Sequence, residues 1–575
     1  MQNMQEMKEM KELKQYVRPL YKQHTEQICR EVISYAKDFP HNENPYPNIL
    51  WYKFLNLYAI YPDAIENGDA VPLARLIPHL AHIKRLGCNA LHILPFLASP
   101  LVDAGFDVSD YFRIRDDLGT MDDMKNVIHE AYRLAIRLIM DLVSNHVSEQ
   151  HEWFQKAQAG DEKYRRYFLV QRTKPRFVGK FHKDSAVWAR YIVDGEERDV
   201  NIAFPEMAGE IPHWREGKDH YWYYHTYYPQ QLDLNWRNPD VFTEFAKIIV
   251  FWTSLGFNFR LDAIPFVGKG AYKQTDEDNE FTHQLTATFR YVAESINPEC
   301  VFIVEAFEEI SVLARYFGYT HFKQTHLAYN FHLCAYLWVA LVEQDANFIW
   351  QKLDEVDEIP VHAEWINFLR NHDELSLAYV RDPLLSDVKN ALMKYGEPFR
   401  EGYGISGRTF SFLGRDEKRF FNAYFLVASL PGGVLIPYGD EIGKTNIPLD
   451  KLPPELRKDT RNINRGKLTV EERESAKGKR IMDMLSKFIL KCQVLRDYLN
   501  VWPQRLSSPP GVFAATYRYG VSELLVLVNI TDKIQHVKIT LALNKDYTEV
   551  LSLHEFEFGE DEITLSPYAG VWLQK

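Results

Sequence analysis

The stretch Phe257-Asn-Phe-Arg-Leu-Asp-Ala-Ile264 decides the fold. It is mostly apolar, it lies between helical stretches, and it carries Arg260 and Asp262 inside it. Charged groups inside an apolar strand are costly unless they meet partners or a substrate. Outward from it, similar runs recur at Leu50–Ile60, Asn89–Phe96, Ile136–Val143, Cys300–Ala306, Trp365–Leu369 and Gly433–Pro437, with another near Leu327–Phe331. Near-continuous apolar strands separated by helices predict a parallel sheet covered on both faces. Eight of them predict an α/β chain built as a (β/α)8 TIM barrel. A doubly wound sheet is the competing reading. It would want a Gly-rich phosphate turn after an early strand, and the sequence has none.

The gap between the third and fourth strands is too long for one crossover. It predicts an inserted domain over residues 147–232, rich in aromatic residues, as in His220-Tyr-Trp-Tyr-Tyr-His-Thr-Tyr-Tyr228. Loops that follow barrel strands build the active-site face, so this segment is expected to wall a pocket. The barrel itself then takes residues 48–146 and 233–484. Residues 1–47 read as a helical segment: Met1, Met4, Met7, Met10, Leu13 and Tyr16 recur every third residue, and Pro19 is expected to interrupt. Residues 485–575 read as a C-terminal antiparallel β-domain, with strands at Val512–Tyr519, Glu523–Ile530, His536–Leu541 and Val571–Leu573.

A formal net charge of −12 argues against a nucleic-acid partner. No apolar run is long enough for a membrane span, and the charge-rich start shows no secretory leader. The five cysteines, Cys29, Cys88, Cys300, Cys334 and Cys492, lie far apart and in no metal-ligand spacing. They are expected to be free buried thiols, in keeping with a cytoplasmic location. The oligomeric state is not readable.

Four of the strands end in polar clusters: Ile139-Met-Asp-Leu-Val-Ser-Asn-His146, Phe257 to Ile264, Phe302-Ile-Val-Glu-Ala306 and Phe368-Leu-Arg-Asn-His-Asp373. At the top of one barrel, Asp262, Glu305 and Asp373 would converge with His146, Arg260 and His372. Three carboxylates beside an arginine and two histidines suit glycoside chemistry. One carboxylate attacks the anomeric carbon, and a second, with a raised pKa, protonates the leaving oxygen. The alternative is that each is an isolated buried ion pair, which the ordered set of four segments disfavours.

These segments resemble the signature regions of the α-amylase superfamily, glycoside hydrolase family 13. Asp141-Leu-Val-Ser-Asn-His resembles the first region, Phe259-Arg-Leu-Asp-Ala the second, Val304-Glu-Ala the third and Asn371-His-Asp the fourth. Gln231-Leu-Asp-Leu-Asn235 resembles an additional region, with Leu232 where the pattern has Pro. The resemblance implies Asp262 as nucleophile, Glu305 as acid/base and Asp373 as stabiliser of the transition state. It implies that Arg260 holds Asp262 ionised, and that His146 and His372 donate to glucose hydroxyls. Asp103-Ala-Gly-Phe-Asp-Val-Ser-Asp-Tyr111 looks like the loop that holds a terminal glucose in exo-acting members. By that match Asp103 binds hydroxyls and Phe106 stacks on the ring, where many relatives have Tyr. Asp459-Thr-Arg-Asn-Ile-Asn-Arg465 departs from the trehalose synthase pattern toward sucrose phosphorylase-like sequences, and Arg461 or Arg465 is expected to reach the glucose. No cofactor is expected to be required. Calcium is possible through Asn145, although Glu66-Asn-Gly-Asp69 keeps only part of an acidic loop. The expected activity is a retaining, exo-acting α-glucosidase on a small α-glucoside or oligosaccharide. Its alternatives are a transglucosidase or isomerase such as trehalose synthase, and a non-catalytic binding subunit.

Overall fold

The computed structural model describes residues 2–575 apart from 43, 45, 67, 184–185, 273–275, 320, 357–358, 539–546 and 560. Eight parallel strands close a barrel in chain order: β1 (Asn56–Ile60), β2 (Ala90–Ile93), β3 (Arg137–Val143), β4 (Phe257–Asp262), β5 (Phe302–Val304), β6 (Leu327–Tyr329), β7 (Glu364–Asn367) and β8 (Gly433–Pro437). β8 returns to β1, with Leu57 opposite Leu435. Every residue of β1, β2, β4 and β8 is buried, as a barrel between its own interior and a ring of helices requires.

All the strands are shorter than, or equal to, the apolar runs that announce them, and each has a physical stop. Trp51–Phe54 is a 3-10 turn, not a strand, held because Trp51 Nε1 donates to the carbonyl of Glu299 across the barrel floor. β4 ends at Asp262 because Ala263 turns left-handed (φ 47°) and Pro265 then sits in a 3-10 turn. β6 ends at Tyr329, since Asn330 caps the helix Phe331–Glu343 by accepting from Leu333 N.

Along β4 the side chains alternate, so Asn258, Arg260 and Asp262 share one face and Phe257, Phe259 and Leu261 the other. The register sets Arg260 opposite Asp141 of β3 and Ile303 of β5. That pairing places the polar residues of neighbouring strands side by side.

Between β3 and β4 the chain forms an antiparallel sheet of Arg176–Lys183, Ala186–Val193 and Glu196–Asn201, and a smaller one from Val170–Gln171, Trp214–Glu216 and Trp222–Tyr224. Tyr191, Trp214 and Tyr224 fill its core. A short pair, His146–Ser148 with Gln231–Asp233, ties this insert to the barrel. At the start of the chain the helix Gln2–Tyr21 runs through Pro19 instead of breaking there. Pro19 is so near the end that only one turn of the helix feels its missing N–H. Leu13, Val17 and Tyr21, four residues apart, are its buried face, and Tyr21 OH donates to the carbonyl of Trp236. Met1 lies outside the described residues.

The C-terminal part is a five-stranded antiparallel sheet (504–505, 512–519, 522–529, 570–574, 548–553) with a three-stranded companion (535–538, 562–565, 556–558). The expected strand His536–Leu541 is described only as Gln535–Lys538; residues 539–541 lie outside the described residues. The expected boundary at 484/485 falls inside the helix Ala476–Val494, whose buried stripe of Ile481, Leu485, Phe488 and Cys492 continues across it. The five cysteines are free and buried. Among the described residues no helix is long and apolar enough to cross a membrane.

Candidate active site

Arg260 is the centre of the first cluster. Its Nη1 donates to Asp141 Oδ1 at 2.7 Å and to Asp262 Oδ1 at 2.6 Å, and its Nη2 pairs with Glu305 Oε1. Asp141 is held from the other side by His92 of β2, whose Nε2 lies 3.0 Å from Oδ2. The left-handed turn at Ala263 aims that residue's N–H at Glu305 Oε2, 3.2 Å away. One guanidinium thus serves three carboxylates in a dry setting. Burial pushes the Asp262 carboxyl well up. Arg260 opposes the shift, while the neighbouring Glu305, Asp141 and Asp373 add to it. Arg260 thus favours the ionised form of Asp262, as expected of the pair, but its charge is divided among three carboxylates.

Arg461 is the centre of the second cluster. It forks onto Asp459 (Nε to Oδ1 2.8 Å, Nη2 to Oδ2 2.8 Å), reaches Asp103 Oδ1 at 3.0 Å and Asp373 Oδ1 at 3.2 Å, and meets Tyr228 OH at 3.2 Å. Phe204 and Phe399 cover its flat faces, with centroids 4.5 and 4.9 Å away. Asp103 is held a second time by Gln231 Nε2 at 3.1 Å. Burial alone would raise the Asp373 carboxyl. His372, with Nε2 2.9 Å from Oδ2, together with Arg461 and Arg465, instead pulls it far below the usual carboxylate range. Asp459 is held down to about 2, burial being outweighed by Arg461 and Arg465.

The two clusters face each other across a cavity of about 520 Å³. Asp103, Phe106, His146, Asp262, Glu305 and Asp373 all line it, as do Arg461, Tyr227, Trp188, Glu308 and Arg400. Three expected site residues do not line this cavity. Arg260 sits beneath the cavity, engaged with the carboxylates. His372 stands behind Phe106, the rings stacked at 5.4 Å and 13°. Arg465 lies behind Asp373 at 3.8 Å, and Arg461 occupies the wall in its place. His146 faces the cavity with both ring nitrogens already engaged, Nε2 by the carbonyl of Phe106 and Nδ1 by Asn145. The sequence reading missed His92, Tyr228, Phe204, Phe399 and Arg400. A signal existed for His92, a lone histidine in the apolar run Ala90-Leu-His-Ile93; Phe204 stands in a loop and Phe399 ends a three-residue strand, with no pattern to mark either.

The surroundings of Asn145 do not suit calcium. Lys269 Nζ lies 2.7 Å from Asn145 Oδ1, 2.7 Å from Asp233 Oδ2 and 2.8 Å from the carbonyl of Phe266. An ammonium with three donors already serves the three oxygens, whereas calcium wants six or more oxygen ligands. Glu66 and Asp69 are exposed, and Asn67 lies outside the described residues. Among the described residues, His79, His82 and Glu441 form one group of metal-capable side chains. There Glu441 already accepts from Tyr58 OH and Gly439 N, and an Arg473 nitrogen lies 3.4 Å from His79 Nδ1, so the group is a hydrogen-bonded brace.

A parallel barrel with acids at the C-terminal ends of its strands, gathered around one cavity, is the architecture of a glycoside-processing enzyme. The family description "alpha amylase, catalytic domain" matches residues 59–381. The trehalose synthase/amylase of Mycolicibacterium smegmatis is 32% identical over 420 residues, 72% of this chain and 67% of that protein. An α-glucosidase of Apis mellifera is 28% identical over 289 residues, 46% of this chain and 48% of that one. The chain thus spans about two thirds of the first relative and half of the second. The crystal structure of an α-amylase from H. orenii superposes with a TM-score of 0.69 at 20% identity, over 90% of this chain and 99% of that one, a likeness of fold. The chain belongs to the α-amylase family and is an enzyme of its glycoside hydrolase and transglucosidase kind.

Proposed function

We propose that this enzyme removes the terminal α-glucosyl unit of a short α-glucoside by double displacement with retention. Asp262 attacks the anomeric carbon from one face. Glu305 gives its proton to the glycosidic oxygen, the bond to the leaving sugar breaks, and a β-glucosyl ester of Asp262 forms. Glu305 then takes a proton from water or a sugar hydroxyl, whose oxygen displaces Asp262 and restores the α configuration. The two carboxyls are bridged by adjacent nitrogens of one guanidinium, which supports retention: an inverting pair must stand far enough apart to admit a water.

Burial, with Glu305 and Asp141 as neighbours, pushes the Asp262 carboxyl up, so the attacking form must lose its proton. The mechanism needs Asp262 ionised and a proton on Glu305 when substrate is bound. Asp373 stays ionised and is placed to bind two ring hydroxyls and to favour positive charge developing at the anomeric carbon. Phe106 offers the ring a flat apolar surface. No step requires a metal.

The observation that carries the terminal-unit reading is the Arg461 cluster. Asp103, Asp459, Tyr228 and the two phenylalanines gather around Arg461 at one end of the cavity, which supports a site that ends at a terminal ring. Transfer to a second sugar, as in a disaccharide isomerase, is supported by the 32% identity to a protein named trehalose synthase/amylase. Chromatography of products from maltose, isomaltose, sucrose, trehalose and starch tests both. Glucose alone supports hydrolysis, a new disaccharide supports transfer, and internal cutting of starch at the maltose rate would defeat the terminal-unit reading.

A further inference from the structure

The hairpin that closes the second rim of the cavity is built against the usual chemistry of turns. Strands Glu397–Phe399 and Gly404–Ser406 pair, with Phe399 opposite Gly404. In the turn between them Arg400, Glu401 and Gly402 have φ of 53°, 52° and 88°. Glycine or asparagine normally fills such left-handed positions, because a larger side chain crowds the backbone there. Two long charged residues in succession are a strained choice, and strain of this kind clusters at functional positions.

Glu401 has a clear structural reason. Its N–H donates to Glu206 Oε1 at 2.7 Å and its carboxylate meets His182 Nε2 at 2.8 Å, so it ties the hairpin to the inserted sheet. Arg400 has none. Its side chain enters the cavity that holds Asp262 and Glu305. Its nearest carboxylate, Glu374 Oε1, is 3.9 Å from Nη1, beyond hydrogen-bond reach. A largely covered guanidinium, 18% exposed, is thus aimed into the cavity with its donors available.

We propose that Arg400 is the specificity-determining residue for the second sugar, donating hydrogen bonds to hydroxyls of the ring that leaves with, or accepts, the glucosyl group. This assignment rests on the α-glucoside reading above. Glu308 and Glu374 line the cavity with Arg381 and Arg400, two carboxylates against two guanidiniums, so no net positive charge calls for a phosphate and the second ring is taken as a neutral sugar. A sugar held by Arg400 keeps water from the glucosyl-enzyme and favours transfer over hydrolysis.

The test compares wild type with R400G and R400K on maltose and on p-nitrophenyl α-glucoside, whose aryl leaving group has no hydroxyls for Arg400. Glycine suits the turn, so R400G should melt at the wild-type temperature or above it. The expected result is a loss of kcat/KM on maltose at least about tenfold greater than on the aryl glucoside, carried by KM, with the ratio of transfer to hydrolysis falling about tenfold. R400K should recover part of this, because it keeps the charge and loses the fork. Equal losses on both substrates, or an unchanged product ratio, would overturn the assignment while leaving the glucosidase reading intact. Wild type preferring a disaccharide 6-phosphate over the disaccharide would also overturn it. Wild type inactive on both α-glucosides would remove the functional reading and this assignment together.

Discussion

Replacing Arg461 with alanine should damage the site and the fold together, and by amounts that can be worked out. The guanidinium is 3% exposed and serves Asp459, Asp103 and Asp373 at 2.8–3.2 Å. Its removal strands these carboxylates in the interior, with Arg465 left at 3.6 Å from Asp459 and 3.8 Å from Asp373. Breaking a buried ion pair from one side costs about 3–5 kcal/mol. For a chain of 575 residues that unfolds cooperatively, the unfolding entropy is about 1.2 kcal/mol per degree, so the melting temperature should fall by about 3–4 °C. Activity should suffer more. Asp103 and Asp373 each lose a charge-assisted hydrogen bond that fixes them on the cavity wall. With the two bonds together worth about 3–6 kcal/mol, kcat/KM on maltose should drop about 10²–10⁴-fold. Calorimetry and steady-state kinetics measure the two effects. Removing the end wall should also raise activity on maltotriose relative to maltose. An R461A enzyme within threefold of wild type on maltose, with an unchanged melting temperature, would refute the argument that Arg461 organises this wall.

Three other expectations follow from the same geometry. D262N should lose turnover on every α-glucoside while keeping the wild-type melting curve, whereas E305Q should retain more activity on p-nitrophenyl α-glucoside than on maltose, since a good leaving group needs less acid help; equal losses for E305Q would count against its role. The acid limb of kcat/KM should lie above the ordinary carboxylate range, because Asp262 is pushed up and must lose its proton to attack. D141N removes one of the acids that raise it and should move that limb to lower pH, so a shift upward would contradict the assignment. Prolonged EDTA treatment should leave activity unchanged, as Lys269 serves Asn145 and Asp233, and K269M should lower the melting temperature by about 3 °C or more because Asp233 is left without its cation.

How much of this was legible depends on whether the residues concerned are close in sequence. The barrel was readable because each strand is buried on both faces and so must be an unbroken apolar run, and β4 and β8 show this directly. Asp262, Glu305 and Asp373 were readable because a charge is conspicuous in, or just beyond, such a run. The ends of strands were overestimated, since apolar residues continue into turns that only tertiary contacts define, as at Trp51–Phe54. Which arginine faces the cavity was not readable. Arg461 and Arg465 are four residues apart, and the choice between them is made by Asp103, 358 residues away along the chain from Arg461. Lys269 was missed for the same reason: its partners, Asn145 and Asp233, lie on the third strand's extension and at the base of the insert.

Two buried carboxylates on one cavity are driven in opposite directions, and the cause is a count of charges. Asp262 shares a single guanidinium with Asp141 and Glu305, so three potential anions meet one cation and burial prevails. Asp373 is approached by Arg461, Arg465 and His372, so burial is overcome. The first arrangement leaves the nucleophile's carboxyl raised by burial; the second keeps a fixed negative charge where positive charge would develop. The same count explains why Arg260 and Arg461 are not interchangeable supports. Another cation near Arg260 would lower the Asp262 carboxyl, opposing the burial that raises it. Losing one near Arg461 would raise the Asp373 carboxyl and weaken its hold on the ionised form. The division of roles among chemically similar acids is therefore set by which strand ends the fold brings beside each arginine, and the β3–β4 register that places Arg260 opposite Asp141 is its first determinant.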